Sequence, residues 1–387
     1  MDKSRFELRK FVAPEFIIGE KARLLAGRYA KNLGARHAMV VTGPRVEKAG
    51  WVDGVVRSLS DEGIGHTIFS GVSPNPRDSE VMNGAKIFAE SGCDSIVVVG
   101  GGSPIDCAKG IGIVFSNNRQ ILGFEGVDNI PIPPPPLICI PTTAGTGADV
   151  SQFAIINDTD RKVKIAIISK KIVPDIALID PEPLTTLSKE LTAHTGMDAL
   201  THSVEAYVSN ASSPVTDMYA LESIQIVNTY LPRAVEEEKK LEWRYQTMLG
   251  SLFAGLAFSN ASLGAVHAMA HSLGGLSDLP HGECNALLLE HVMEFNYPSC
   301  PGRYEAVGRA LGIETEGMDR DGRKAQVLRA VAAMRENLGI TARLADLGVS
   351  RSDIPALART AIRDPCLATN PRKATVKDIE QIYEKAL

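Results

Sequence analysis

The chain has no apolar run approaching the ~20 residues that a membrane span requires, although 44% of its residues are hydrophobic. It also lacks an excess of positive charge. The net charge is −5, and no basic stripe is interleaved with its sparse aromatics, so a nucleic-acid partner is not expected. Six cysteines (93, 107, 139, 284, 300 and 366) show no CxxC spacing. They read as small buried hydrophobes in a reducing cytoplasm rather than as a disulfide framework or a metal knuckle. The opening MDKSRFELRKFV scatters charges and has no apolar stretch, so a secretory signal is not expected there. Neither the GxGxxG of a first βα unit nor a Walker A GK[ST] is present. No internal repeat or low-complexity tract interrupts the chain.

What is present divides near residue 182. At 387 residues the chain is long for a single core, and two domains are expected, 1–182 and 183–387. In the first part, short β-rich runs alternate with helical stretches. HAMVVT (37–42), IGHTIFSGV (64–72), SIVVVG (95–100), LICIP (137–141) and DIALID (175–180) read as strands. Continuous apolar runs such as SIVVVG suit a strand covered on both faces. Strands spaced by helices imply right-handed crossovers and a parallel, doubly wound sheet. FAIINDTDRKVKIAII (153–168) reads as a hairpin-like insertion, and PIPPPP (131–136) as a stiff polyproline approach to LICIP. From PEPLTTLS onward only amphipathic helical runs with Gly or Pro breaks remain, so the second part should be all-α. Its last helix, TVKDIEQIYEKAL, opens on a capping-box pair, Thr375 and Asp378.

Histidine is concentrated: five of the eight (His194, His202, His267, His271 and His281) fall between residues 194 and 281. Asp198 and His202 are four apart in a helical stretch, so both leave one face a turn apart. GAVHAMAHSLG repeats that spacing with His267 and His271, and His281 follows in the turn-like DLPHGECN. Read together, Asp198, His202, His267 and His281 form one metal site. A carboxylate with several imidazoles suits ferrous iron or zinc and is a poor match for calcium or magnesium.

Two glycine-rich loops follow strands. SIVVVG runs into GGSPIDCAKGIG, and LICIP into PTTAGTGADV with hydroxyls at Thr142, Thr143 and Thr146. Such turns aim backbone N–H groups at phosphate oxygens, helped by the positive end of the following helix. Two of them at carboxyl ends of strands mark where an open α/β sheet binds its ligand.

GGGSPIDCAK, PTTAGTGADVS, GMDALTHSVEAYVS and GAVHAMAHSLG…PHGECNALLLEHVMEFN together resemble the iron-dependent (group III) alcohol dehydrogenases, a family that includes lactaldehyde reductase and 1,3-propanediol dehydrogenase. The likeness runs from FVAPEFIIGEKA to DPCLATNPR. It implies a dinucleotide-binding α/β domain, an all-helical domain and a metal between them, Fe2+ with Zn2+ as the alternative. The family's metal motif falls on Asp198, His202, His267 and His281. Its nicotinamide motifs fall on Gly101, Gly102, Ser103, Asp106, Thr142, Thr143 and Thr146, with Asn75, Lys164 and Leu184 as further cofactor positions. His271 corresponds to the family histidine beside the metal, read here as a proton relay or as a residue that only orients a ligand.

Two departures bear on specificity. Where NAD-using members carry an acidic residue, VVTGPR has Gly43 with Arg45 beyond it, so NAD is expected with NADP tolerated. Where lactaldehyde reductase-like members have Asn, this chain has Phe153. With Phe258 as a second wall, that predicts an apolar pocket and a short primary alcohol or aldehyde rather than a diol. A homo-oligomer is expected. Two alternatives share the fold: a glycerol dehydrogenase or dehydroquinate synthase-like enzyme, and a catalytically inactive scaffold.

Overall fold

The computed structural model describes residues 8–314 and 316–387. The first seven residues of the charged N-terminal stretch therefore lie outside the described residues.

A six-stranded sheet, parallel throughout, organises the N-terminal half. Its strands are β1 (Glu15–Ile18), β2 (His37–Thr42), β3 (Gly65–Phe69), β4 (Ser95–Gly100), β6 (Leu137–Pro141) and β9 (Ile176–Ile179), in the order β1-β9-β6-β4-β2-β3. The continuous apolar run of β4 takes a central place, every residue buried, between β2 and β6. Two strands are shorter than the sequence suggests: 64–72 contracts to β3 and 175–180 to β9, because pairing stops where polar turn residues begin. β1 is an addition that the alternation pattern did not reveal. It is a four-residue edge strand with a half-exposed pattern, and it pairs only with β9. The expected hairpin forms from β7 (Phe153–Asp158) and β8 (Val163–Ile168), antiparallel, and β5 (Gly126–Val127) extends it into a second, three-stranded sheet.

Chain direction across the main sheet reverses between β2 and β4. The segment after β2 builds outward to β3, and the segment after β4 builds the other way through β6. The carboxyl ends of β2 and β4 thus flank a topological switch point, where an open sheet leaves a crevice for a ligand. Gly43 and Gly100–Gly102 lie there.

After β9, the described residues contain helices and turns only, as the sequence predicts. The helices begin where the sequence offers caps. Ser188 accepts from Leu191 N at the start of Lys189–Val208, Ser213 and Thr216 form a reciprocal box before Pro214–Glu236, and Thr375 and Asp378 do the same for Val376–Ala386. Leu241–Ala261 and Ala265–Ser277 are apolar almost all round because both run through the core. Among the described residues no single helix is long and apolar enough to cross a membrane. One expectation is corrected here. His281 lies not in a turn but at the first position of helix His281–Asn296; the turn ends at Pro280, whose extended backbone sets the helix start.

Candidate metal centre and cofactor cleft

Three helices converge to build the cluster. Lys189–Val208 carries Asp198 and His202, Ala265–Ser277 carries His267 and His271, and His281–Asn296 carries His281. The Nε2 atoms of His202, His267 and His281 lie 3.9, 3.7 and 3.8 Å from Asp198 Oδ1. These spacings are too long for hydrogen bonds and about the width of a divalent ion's coordination sphere. Asp198, His267 and His281 bring ligand atoms within 4.8 Å of one another in a buried setting, and His202 adds its Nε2 beside Asp198; this donor set fits a divalent transition metal.

The other ring nitrogens explain why Nε2 points inward. His202 Nδ1 meets the carbonyl of Gly145 at 3.1 Å, in the second glycine loop. His267 Nδ1 meets Glu205 Oε2 at 2.6 Å, and His271 Nδ1 meets Asp364 Oδ2 at 2.8 Å. His281 Nδ1 is buried with no partner among the described residues. The rings also brace one another: His202 stacks on Phe258 at 4.3 Å and on His267 at 4.5 Å, and His271 stacks on His281 at 5.3 Å. Asn285, one turn beyond His281, donates from Nδ2 to Asp198 Oδ1 at 2.6 Å.

Charge follows geometry. Burial opposes ionisation of Asp198, but the surrounding His202, His281 and His267 hold its carboxyl well below the usual carboxylate range. Burial lowers His202 to about 4 despite Asp198, and lowers His281 as well. His267 goes the other way. Burial disfavours its charge, yet Asp198 and Glu205 raise it to about 9.

The cleft beside the cluster is a cavity of about 110 Å3, large enough by the same measure for several waters or a small alcohol. Phe153 and Phe258 line it edge to face, ring centres 5.6 Å apart, with the hydroxyl-bearing Ser151 nearby. Asn75, Gly102, Ser103, Asp106, Thr146 and Lys164 line its other side. Lys164 Nζ donates to Asn75 Oδ1 at 2.7 Å, and Asn75 Nδ2 donates across the cleft to Asp278 Oδ1 at 2.7 Å. Burial pushes the Asp106 carboxyl up to about 7, against the pull of Lys109.

The two glycine loops press together. A Cβ on Gly101 would come within 2.9 Å of Thr143 Oγ1, and one on Gly102 within 2.9 Å of Thr146 Cγ2, so only glycine permits this approach. Thr143 Oγ1 is buried without a partner, an unused donor and acceptor where a cofactor oxygen would arrive. Thr142 ties the loops through its N–H to Gly100 O at 3.0 Å. Gly43 caps helix Pro44–Lys48 at the switch point, with Arg45 exposed beyond it. Leu184 is not brought to the cavity; it is buried in an apolar cluster with Ala144 and Ile179.

Sequence reasoning passed over Glu205, Asn285, Asp364, Ser151 and Lys109. Glu205 had a signal, three residues after His202 on one helix face. Asp364 opens the DPCLATNPR stretch, but no spacing ties it to His271, 93 positions earlier.

Comparison with known proteins identifies the family. Residues 13–181 match the family described as iron-containing alcohol dehydrogenase, and residues 192–387 match the C-terminal part of the Fe-containing alcohol dehydrogenase family. The chain is 40% identical to 1,3-propanediol dehydrogenase of Citrobacter freundii over 95% of its own length and 96% of that protein. It is 37% identical to NAD-dependent methanol dehydrogenase of Bacillus methanolicus, covering 97% and 99% of the two chains. The crystal structure of a 1,3-propanediol oxidoreductase superposes with a TM-score of 0.95 at 38% identity, covering 98% of this chain and 100% of that one. The chain belongs to the iron-containing alcohol dehydrogenase family and is an oxidoreductase acting on alcohols and aldehydes.

Proposed function

We propose that the chain moves a hydride between NAD(P) and a short primary alcohol or its aldehyde at a divalent metal held by Asp198, His202, His267 and His281. One observation carries this reading: the Nε2 atoms of His202, His267 and His281 each lie 3.7–3.9 Å from Asp198 Oδ1, at the wall of the cavity that glycine-loop residues also line. A bound ion would lower the pKa of an alcohol oxygen and polarise an aldehyde carbonyl, while the nicotinamide carries the hydride. The chain's own residues do the rest. The backbone around Gly101 and Gly102, with Thr142, Thr143 and Thr146, binds the cofactor phosphates, and Asn75, Asp106 and Lys164 bind its nicotinamide end. Phe153 and Phe258 exclude water. His271, oriented by Asp364, passes a proton between the cavity and solvent.

Four ligands plus a substrate oxygen exceed the usual three-plus-one set of catalytic zinc, which favours Fe2+ over Zn2+. Gly43 leaves nothing to repel a 2′-phosphate, which supports NAD use with NADP tolerated. The Phe153–Phe258 pair favours simple alcohols. A second reading, a 1,3-diol, is favoured by the Ser151 hydroxyl in the cavity wall and by the name of the Citrobacter relative. We also read residues 1–182 and 183–387 as cofactor and metal domains. Free cysteines support a reducing cytoplasm, and exposed Phe16 beside the unpaired edge of β1 supports a homo-oligomer. A panel of alcohols, diols and aldehydes, run with NAD(H) and NADP(H) on chelated and on Fe2+- or Zn2+-reloaded enzyme, tests the whole reading. Full activity after chelation would refute the metal role, and a preferred diol would replace the simple alcohol.

A further inference from the structure

We infer that Glu205 is a positioning residue of the metal centre, acting through His267; this rests on the metal reading above. Asp198, His202 and Glu205 occupy positions i, i+4 and i+7 of helix Lys189–Val208, so one face supplies two ligands and this third carboxylate. Glu205 is 3% exposed. Its Oε1 accepts from Val266 N at 2.7 Å, and its Oε2 accepts from Gly264 N at 3.0 Å, from His267 N at 3.4 Å and from His267 Nδ1 at 2.6 Å.

Two consequences follow from this pattern. First, helix Ala265–Ser277 has no side-chain cap from its own N-cap residue, Gly264. Glu205 supplies the missing acceptor from a neighbouring helix, where negative charge is favoured by the helix dipole. A Cβ on Gly264 would lie 2.8 Å from Glu205 Oε1, so glycine there makes room for the carboxylate. Second, by accepting a hydrogen bond from Nδ1–H, Glu205 fixes His267 as the tautomer whose Nε2 faces Asp198, and it raises the basicity of that nitrogen. The other two ligand imidazoles have no such support: His202 leans on a neutral carbonyl, and His281 Nδ1 has no partner among the described residues. Glu205 thus caps the helix, together with Asn370 Oδ1, which accepts from Ala265 N at 3.1 Å, and orients the ligand, and His267 is the best-anchored imidazole of the three.

The test is a double-mutant cycle read by metal binding rather than by turnover. Co2+ affinity is measured by chelator competition, with the visible Co2+ spectrum, for wild type, E205Q, H267A and the double variant, alongside thermal melting of each. E205Q keeps the size and an acceptor for Val266 N, and it should weaken Co2+ binding about 10- to 100-fold and shift the Co2+ bands. In the H267A background the same change should cost almost nothing, because the residue through which it acts is gone. Equal losses in both backgrounds, or wild-type affinity and spectrum in E205Q, would overturn the inference and leave Glu205 as a helix cap. If E205Q does not fold, E205D serves: it keeps the charge, but its shorter side chain cannot reach Nδ1. It should lower affinity with the same dependence on His267. Wild-type protein that takes up no Co2+ would instead sink the metal assignment itself.

Discussion

Lys109 lies away from the reacting centre, yet its removal should disable the cofactor cleft. Its ammonium is fully buried on helix Gly102–Asn117 and donates to the carbonyls of Ala148 at 2.7 Å, Ser151 at 2.8 Å and Phe153 at 2.7 Å. An ammonium has three N–H donors, and each carries one of these bonds. They join the helix of the first glycine loop to the end of the second loop and to the first residue of β7. Replacement by Met keeps the aliphatic volume and strands three buried carbonyls. A hydrogen bond to a charged group contributes ~1.5–3 kcal/mol, so the sum overstates the loss; relief from burying a charge offsets part of it. The net cost should be about 3–5 kcal/mol, as for other broken buried charge networks. Denaturant unfolding of K109M reads that loss. Titration of NADH fluorescence should in addition show weaker cofactor binding, because the loop bearing Thr142, Thr143 and Thr146 loses its anchor. K109M with wild-type unfolding and wild-type NADH affinity would refute the argument that this lysine clamps the two loops.

The other expectations are more direct. D198A and H267A should both be isolated without metal and without activity, measured by elemental analysis and assay; H267A, with three ligands left, should still take up added Co2+ weakly enough to titrate. H271A should retain metal and cofactor while its turnover falls about 10²- to 10⁴-fold; near-wild-type turnover at every pH would leave His271 only an orienting role. A side chain at Gly43 would meet only Val72 O at 3.5 Å and Pro104 Cγ at 3.9 Å, so G43D should fold and should lower NADP use relative to NAD. An unchanged ratio in paired kinetics would show that this position does not read the 2′-phosphate. His267 is raised to about 9, and an ion must displace its proton. Co2+ affinity should therefore climb as pH rises from about 6 and level off near about 9; a flat profile by chelator competition would contradict it.

Much of this was legible because the signals were local. SIVVVG and LICIP announce central strands by being apolar throughout, and the loops after them carry their glycines in unbroken runs. Asp198 with His202, and His267 with His271, are i, i+4 pairs that any helix brings to one face, so most of the proposed ligand set could be read before the fold. β1 was hidden because four half-exposed residues at an edge carry no alternation. His281 looked like a turn residue because Pro280 and Gly282 flank it, although Pro280 stands at the N-cap, outside the helix, and Gly282 in its first turn. Leu184, a cofactor position given only by resemblance, packs into a core cluster and, like Gly101, Thr142 and Thr143, lies outside the cavity lining. The pairing of Asp364 with His271 could be found only in three dimensions, since the two lie 93 positions apart with no spacing to tie them.

The contacts behind the proposed ligands also tie the second glycine loop to the helix that carries Asp198 and His202. The second glycine loop offers the carbonyl of Gly145 to His202 Nδ1 at 3.1 Å. That loop is pressed onto the ligand helix itself: a Cβ on Gly145 would fall 2.3 Å from Thr195 O. Two residues on, Gly147 adopts φ +56° against Gly255 of helix Leu241–Ala261, where a Cβ would meet Gly255 Cα at 2.6 Å. Contacts this close leave no room for the loop to slide over the helices. The loop that presents Thr142, Thr143 and Thr146 must therefore move together with Asp198 and His202. A substitution that lifts it, at Gly145 as at Lys109, acts on His202 as much as on the cofactor.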